Sequence, residues 1–153
     1  MSSGLALQDF LSRHLPLTAA MGVKVECACA DCVDLRVPLQ PNLNHELTAF
    51  GGSISTVGIL AGWGWLWTQL HTRDPMPRLI IGHSTTRYIR PIDTDFEARC
   101  SHPGGAAFEQ FEQTFAASGK ARLALRSEVT VSGKIAAVHD GIYVAIDPGR
   151  GAS

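Results

Sequence analysis

The chain has 153 residues, of which 45% are hydrophobic and 18% charged, with a net charge of −1. That length fits one domain, read here as 1–153 with a core over about 15–147, and it can bury an apolar interior without disulfide or metal staples. The hydrophobic content excludes wholesale disorder, and the lack of clustered Lys and Arg excludes nucleic acid as a partner.

The first segment, MSSGLALQDFLSRHLP, has no basic n-region, and Asp9 interrupts its apolar run. It reads as a short helix and not as a signal peptide, so the expected location is cytoplasmic. Met21, Val23, Val25 and Cys27 then alternate with polar residues, and after a turn at Ala30-Asp31 so do Val33, Leu35, Val37 and Leu39. This pattern predicts a β-hairpin. The hairpin carries Cys27, Cys29 and Cys32 as C-x-C-x-x-C, while Cys100 stands alone. Three thiols and a distant fourth ligand can hold zinc, but no second C-x-x-C or H-x-x-x-H completes a familiar set. The expectation is no metal, with Cys27 and Cys29 in the apolar phase as small buried hydrophobes, and no disulfide in a reducing cytosol.

From Leu47 to Thr72 there is no Asp, Glu, Lys or Arg. The stretch is long enough to cross a bilayer, and Gly58-x-x-x-Gly62 matches a membrane packing pattern. Its glycines, Ser/Thr residues and Gln69 lower the mean hydropathy, no Lys/Arg asymmetry flanks it, and strands follow it. A helix buried on every side is the better reading, with no membrane span. Gly51, Ser55, Gly58 and Gly62 follow a 4-3-4 spacing and form one stripe. Each internal Gly costs about 1 kcal/mol of helix propensity, a cost tolerated where a sheet must come close. Trp63, Trp65 and Trp67 are read as core and interface, and Asp74-Pro75 and Pro77 end the helix.

Beyond it, strands are predicted at Arg78–Arg90, Phe96–His102, Ala121–Val131 and Lys134–Ile146, the last with a bulge at Asp140-Gly141. AAFEQFEQTFAASG, between the second and third of these, is open to a helical turn or a strand extension. The tail Pro148–Ser153 is expected to fray. One long helix set apart from runs of strands means α+β, an antiparallel sheet packed on that helix. Such a sheet covers only part of so apolar a helix, so a second copy with twofold symmetry is expected on the rest.

The residues that carry chemistry sit just before the long helix. Asn42, Asn44, His45, Glu46 and Thr48 crowd one loop, and Gly51-Gly52-Ser53 open the helix. A helix start offers unpaired N–H groups and the positive end of a dipole, and glycine lets a ligand approach. That suits a carbonyl oxygen gaining charge during acyl transfer, with Asn44, His45 or Glu46 orienting or deprotonating water. The same residues also suit a turn that merely caps a helix, and the residues alone leave both readings open. His83, in the strand after the helix, is a weaker candidate. His14, His71, His102 and His139 are read as surface or turn residues.

Asn44-His45, Thr48-Ala49-Phe50-Gly51-Gly52-Ser53 and Ala61-Gly62-Trp63, with Tyr88-Ile89-Arg90-Pro91, Asp95, Ala98 and Gly141-Ile142-Tyr143, resemble the thioesterase family named after the YiiD C-terminal domain. The resemblance implies a hotdog fold, a curved antiparallel sheet wrapped around one long central helix. It also implies a homodimer or dimer of dimers acting on thioesters of coenzyme A or acyl carrier protein. No cofactor is implied, coenzyme A being part of the substrate, and no metal. The implied site lies at the dimer interface, with Phe50, Gly51 and Gly52 of one chain towards Ser84, Thr85 and Thr86 of the other. Thr48, Ser53 and His83 join them as substrate-binding residues.

One departure matters. Many hotdog thioesterases and dehydratases carry an acid inside the central helix, whereas this chain has no carboxylate between Glu46 and Asp74. What remains is water attack on a carbonyl held by the Gly51 and Gly52 N–H groups, with Asn44 positioning water and His45 or Glu46 as base. The alternatives are a non-catalytic acyl-thioester binding or regulatory module, and an enoyl-CoA hydratase.

Overall fold

Residues alternating between apolar and polar build the sheet, and one uncharged helix fills its concave face. The computed structural model describes residues 2–150. Helices α1 (Ser3–His14) and α2 (Pro16–Ala20) precede a hairpin of β1 (Lys24–Ala28) and β2 (Cys32–Val37). A 3-10 turn at Gln40–Asn42 leads to α3 (Gly51–Leu70). After it come β3 (Arg78–Tyr88), β4 (Phe96–Ser101), α4 (Ala107–Ser118), β5 (Lys120–Val131) and β6 (Lys134–Ile146). The six strands form one antiparallel sheet in the order β1-β2-β4-β5-β6-β3. β3 and β1 are its edges.

β5 shows the alternation most plainly: Ala121, Leu123, Leu125, Ser127, Val129 and Val131 are buried, and Arg122, Ala124, Arg126 and Glu128 between them are exposed. The stripe of small residues on α3 seats the β3–β6 side of the sheet. A side chain added at Gly58 would meet His139, one at Gly62 would meet the Tyr143 phenol, and one at Gly51 would touch Tyr88. Gly141 pairs in continuous register on both sides, so the expected bulge at Asp140-Gly141 is absent. This glycine is instead a packing gap: a Cβ there would press on both His139 and Tyr143. The register shifts fall between Val25 and Cys27, between Ile81 and His83, and between Val129 and Thr130.

The first of these shifts corrects the reading of the cysteines. With Glu26 as the extra residue, Val25 pairs with Leu35 but Cys27 pairs with Asp34. Cys27 therefore changes face and leaves the core, where only Cys100 is found. Cys27 and Cys29 are half-buried, and Cys32 is buried outside the main apolar cluster.

The segment left open between β4 and β5 is a full helix. Phe108, Phe111 and Phe115 of α4 line one side, and Gly119 at φ 73° ends it. α4 and α1 also cover flanks of α3 that the sheet leaves bare. Phe108 packs edge-on against Trp65, Phe10 lies on Trp63 and Trp67, and Leu7 fills the space beside Gly64. The expectation that a second copy is needed on the rest of this helix is corrected to that extent, because the chain's own helices touch flanks that the sheet leaves bare. No helix among the described residues is long and apolar enough to cross a membrane. Of the tail expected to fray, Arg150 donates to the Ala116 carbonyl at the end of α4; residues 151–153, like Met1, lie outside the described residues.

Candidate active site

α3 begins without a lid on its dipole. Its N-cap is Phe50, an extended residue at φ −61° and ψ 134°, and no side chain caps the first turn. Ile54 makes the first helical bond, to the Phe50 carbonyl at 3.1 Å. The N–H groups of Gly51, Gly52 and Ser53 precede it and point out along the helix axis. Gly52 is exposed, and the Phe50 ring, itself 58% exposed, folds over it so closely that a Cβ at Gly52 would collide with the ring. The result is a short strip of backbone donors at the positive end of a helix, shielded on one side by an aromatic ring.

The loop before the helix is braced by Asn44. Its Oδ1 accepts the backbone N–H of Glu46 at 2.9 Å and of Thr48 at 3.1 Å, and its Nδ2 donates to Thr48 Oγ1 at 3.0 Å. The Asn44 N–H to Thr48 carbonyl bond, 2.8 Å, closes the loop, and Leu47 turns its tip at φ 60°. Both polar atoms of Asn44 are thus occupied inside the loop, and neither reaches the helix start. Asn44 therefore does not cap α3, and all three of its side-chain bonds fall within the loop. His45 and Glu46 stand out from the tip as a 3.2 Å pair, their side chains 87% and 74% exposed.

β3 faces the helix with every second residue. Tyr88 Oη donates to the Gly51 carbonyl at 2.8 Å, Thr86 Oγ1 donates to Ser55 Oγ at 3.0 Å, and Ser84 Oγ lies 2.8 Å from His139 Nε2. His83 and Thr85 point the other way. They pair with each other at 3.0 Å and line a cleft of about 560 Å³ on the outer face with Arg126, Asp140 and Ile142. The grouping of His83, Ser84, Thr85 and Thr86 as one surface is therefore divided by the strand's own alternation. The partners of Ser84 and Thr86 here belong to the same chain.

His139 needs correction. It is fully buried opposite Gly58, its Nδ1 has no hydrogen-bond partner, and burial lowers its pKa below the ordinary value. It lies far from the helix start, since Gly58 is about 10 Å along the axis from Gly51. The Ser84–His139 pair thus clasps β3 to β6 and is out of reach of a carbonyl held at Gly51 and Gly52. Ser55 and Tyr88 have no site role in the sequence analysis, and His139, expected at the surface or in a turn, is buried. The usable signal was the phase of Ser84, Thr86 and Tyr88 against the small-residue stripe that includes Ser55.

A curved antiparallel sheet closed over one long helix, with an open glycine-lined helix start, is the hotdog fold. The chain belongs to the family described as "Putative thioesterase (yiiD_Cterm)", whose model matches residues 5–147. Among solved structures, a protein of unknown function from Chlorobaculum tepidum is 27% identical, with a TM-score of 0.89 over 94% of each chain. A protein from Shewanella oneidensis described as a putative thioesterase shares 24% identity over 94% of this chain and 97% of its own, with a TM-score of 0.80. A Pseudomonas aeruginosa protein described as a probable thioesterase shares 21% over 93% and 94%, with a TM-score of 0.81. The last two likenesses concern the fold.

Proposed function

We propose that this chain hydrolyses acyl thioesters of coenzyme A or acyl carrier protein, with the thioester carbonyl seated at the start of α3. The observation that carries the reading is the uncapped first turn at Gly51-Gly52 in a member of a thioesterase family. Water oxygen bonds to the carbonyl carbon, the carbon–sulfur bond breaks, and the proton lost by water ends on the departing sulfur. Negative charge develops on the carbonyl oxygen as water adds, and the Gly51 and Gly52 N–H groups are fixed in advance to receive it. His45 or Glu46, at the tip of the adjoining loop, takes the proton. Asn44, Thr48 and Phe50 shape the approach.

A second copy completes the assembly in this proposal. β3 is hydrogen-bonded to β6 on one side only, and Ile80, Tyr88 and Ile89 along and just beyond it are exposed, which favours a homodimer or dimer of dimers joined there. A non-catalytic binding module is the second reading, favoured by the engagement of both polar atoms of Asn44 within its own loop.

Release of free thiol from a panel of short-, medium- and long-chain acyl-CoAs separates the two. Hydrolysis of at least one chain-length class is expected, and Gly52→Val should lower turnover by about 10²-fold or more by blocking the N–H groups. Binding without thiol release would favour the binding module. A folded Gly52→Val protein working at the parent rate would place the carbonyl elsewhere.

A further inference from the structure

The register shift that expels Cys27 from the core brings it to Cys29 and Cys32. The three sulfurs all lie within 4.8 Å of one another, with Cys27 and Cys29 at 3.9 Å. A tetrahedral zinc–thiolate site, with zinc–sulfur bonds of about 2.3 Å, sets its sulfurs about 3.8 Å apart. The hairpin therefore sets one sulfur pair at the edge length of such a tetrahedron, with the third sulfur's distances within about 1 Å of that length, before any ion arrives.

The backbone that carries them is anchored from three sides. Cys29 N–H donates to the Cys32 carbonyl at 2.9 Å, closing the turn, and His102 N–H donates to the Asp31 carbonyl at 2.7 Å. From α3, Trp65 Nε1 donates to the Ala30 carbonyl at 3.1 Å and Gln69 Nε2 to the Cys29 carbonyl at 3.1 Å. A turn held this firmly lets its sulfurs meet an ion with little further ordering. Cys27 and Cys29 are half-exposed, which leaves a path in. Beside them Asp34, its Oδ2 3.8 Å from Cys32 Sγ, is paired with Arg99 at 3.1 Å.

We propose that Cys27, Cys29 and Cys32 form a three-thiolate site for zinc, with water in the fourth position. The backbone N–H groups of Cys32 and Asp31 already favour the Cys29 thiolate. Burial and the Asp34 carboxylate push the Cys32 thiol up to about 12, so loading the site releases protons. The site is independent of the thioesterase reading: it lies on the β1–β2 turn, and its failure would leave hydrolysis at α3 untouched.

The test uses the full chain, reduced and stripped with a chelator, titrated anaerobically with Co2+. One equivalent is expected to produce thiolate-to-cobalt charge-transfer absorption, which Zn2+ then abolishes by displacement. Cys29→Ser should remove the absorption and weaken zinc binding by about 100-fold or more, whereas Cys100→Ala should keep both. Circular dichroism checks that each variant is folded. No charge-transfer absorption in the parent protein, which needs no variant to interpret, would overturn the proposal. So would absorption that survives in folded Cys29→Ser.

Discussion

Asn44 shows how one residue type serves several geometries. An Asn before a helix can cap it, hold water for a reaction, or fold its own loop, and only the positions of its two polar atoms distinguish these. Here Oδ1 accepts two loop N–H groups and Nδ2 donates to the Thr48 hydroxyl oxygen. Asn44→Ala is therefore expected to cost about 0.5–2 kcal/mol of stability, the usual price of losing such a brace. Turnover per folded molecule should stay within a few-fold of the parent. Denaturant midpoints together with thiol release per folded molecule check this, and a 10²-fold fall in turnover at unchanged stability would return Asn44 to the chemistry. That Gly51 and Gly52 open the helix was legible from sequence, because they stand directly before the helix's long apolar run. The role of Asn44 was not, because it depends on which N–H groups the loop closure brings within reach. His139 was hidden for a related reason: in a run of alternating residues, nothing but the register against α3 shows that its face is the inner one.

Among the elements, α3 carries the clearest relation between sequence and packing. Its small-residue stripe was visible as a spacing, and the sheet meets it at Tyr88, Thr86, His139 and Tyr143. Tyr143 is the most demanding of these neighbours, since its hydroxyl, which donates to the Ile59 carbonyl at 2.8 Å, sits where a Gly62 side chain would be. Helix propensity alone predicts that Gly62→Ala gains about 1 kcal/mol. Overpacking against a fixed phenol predicts a loss of about 1–3 kcal/mol, and the rigid neighbour decides the sign. Thermal and urea unfolding should show net destabilisation, and a stabilised variant would mean that the stripe has another purpose. The strands were legible because period two survives without knowledge of their partners. α4 was not resolved, although Phe108, Phe111 and Phe115 recur at helical spacing, because the preceding Pro-Gly-Gly made a short extension equally acceptable. The register shift after Val25 left no mark in composition, so the hairpin was found while the face of Cys27 was not.

At the scale of the whole molecule, the uncovered edge of β3 makes self-association the natural expectation. Light scattering at micromolar concentration should give at least twice the 16.4 kDa chain mass. A stable folded species of 16.4 kDa would remove the dimer, and with it any part of the site supplied by a second copy. Most of the apolar surface of α3 is covered within the chain by the sheet, with α1 and α4 touching its flanks, so the association rests on the sheet edge and its exposed isoleucines more than on a bare helix.

The order of strands across the sheet also sets a timetable for synthesis. β3 is made directly after α3, yet its hydrogen-bonded neighbour is β6, which leaves the ribosome only after β4, α4 and β5. Until then the glycine face of α3 has neither the imidazole of His139 nor the phenol of Tyr143 to rest against, and β3 offers two open edges at once. Contacts so distant in the chain form slowly, and the waiting intermediate exposes the surfaces on which nascent chains aggregate. The small-residue stripe that lets the finished sheet close tightly is, during translation, a groove awaiting its last strand.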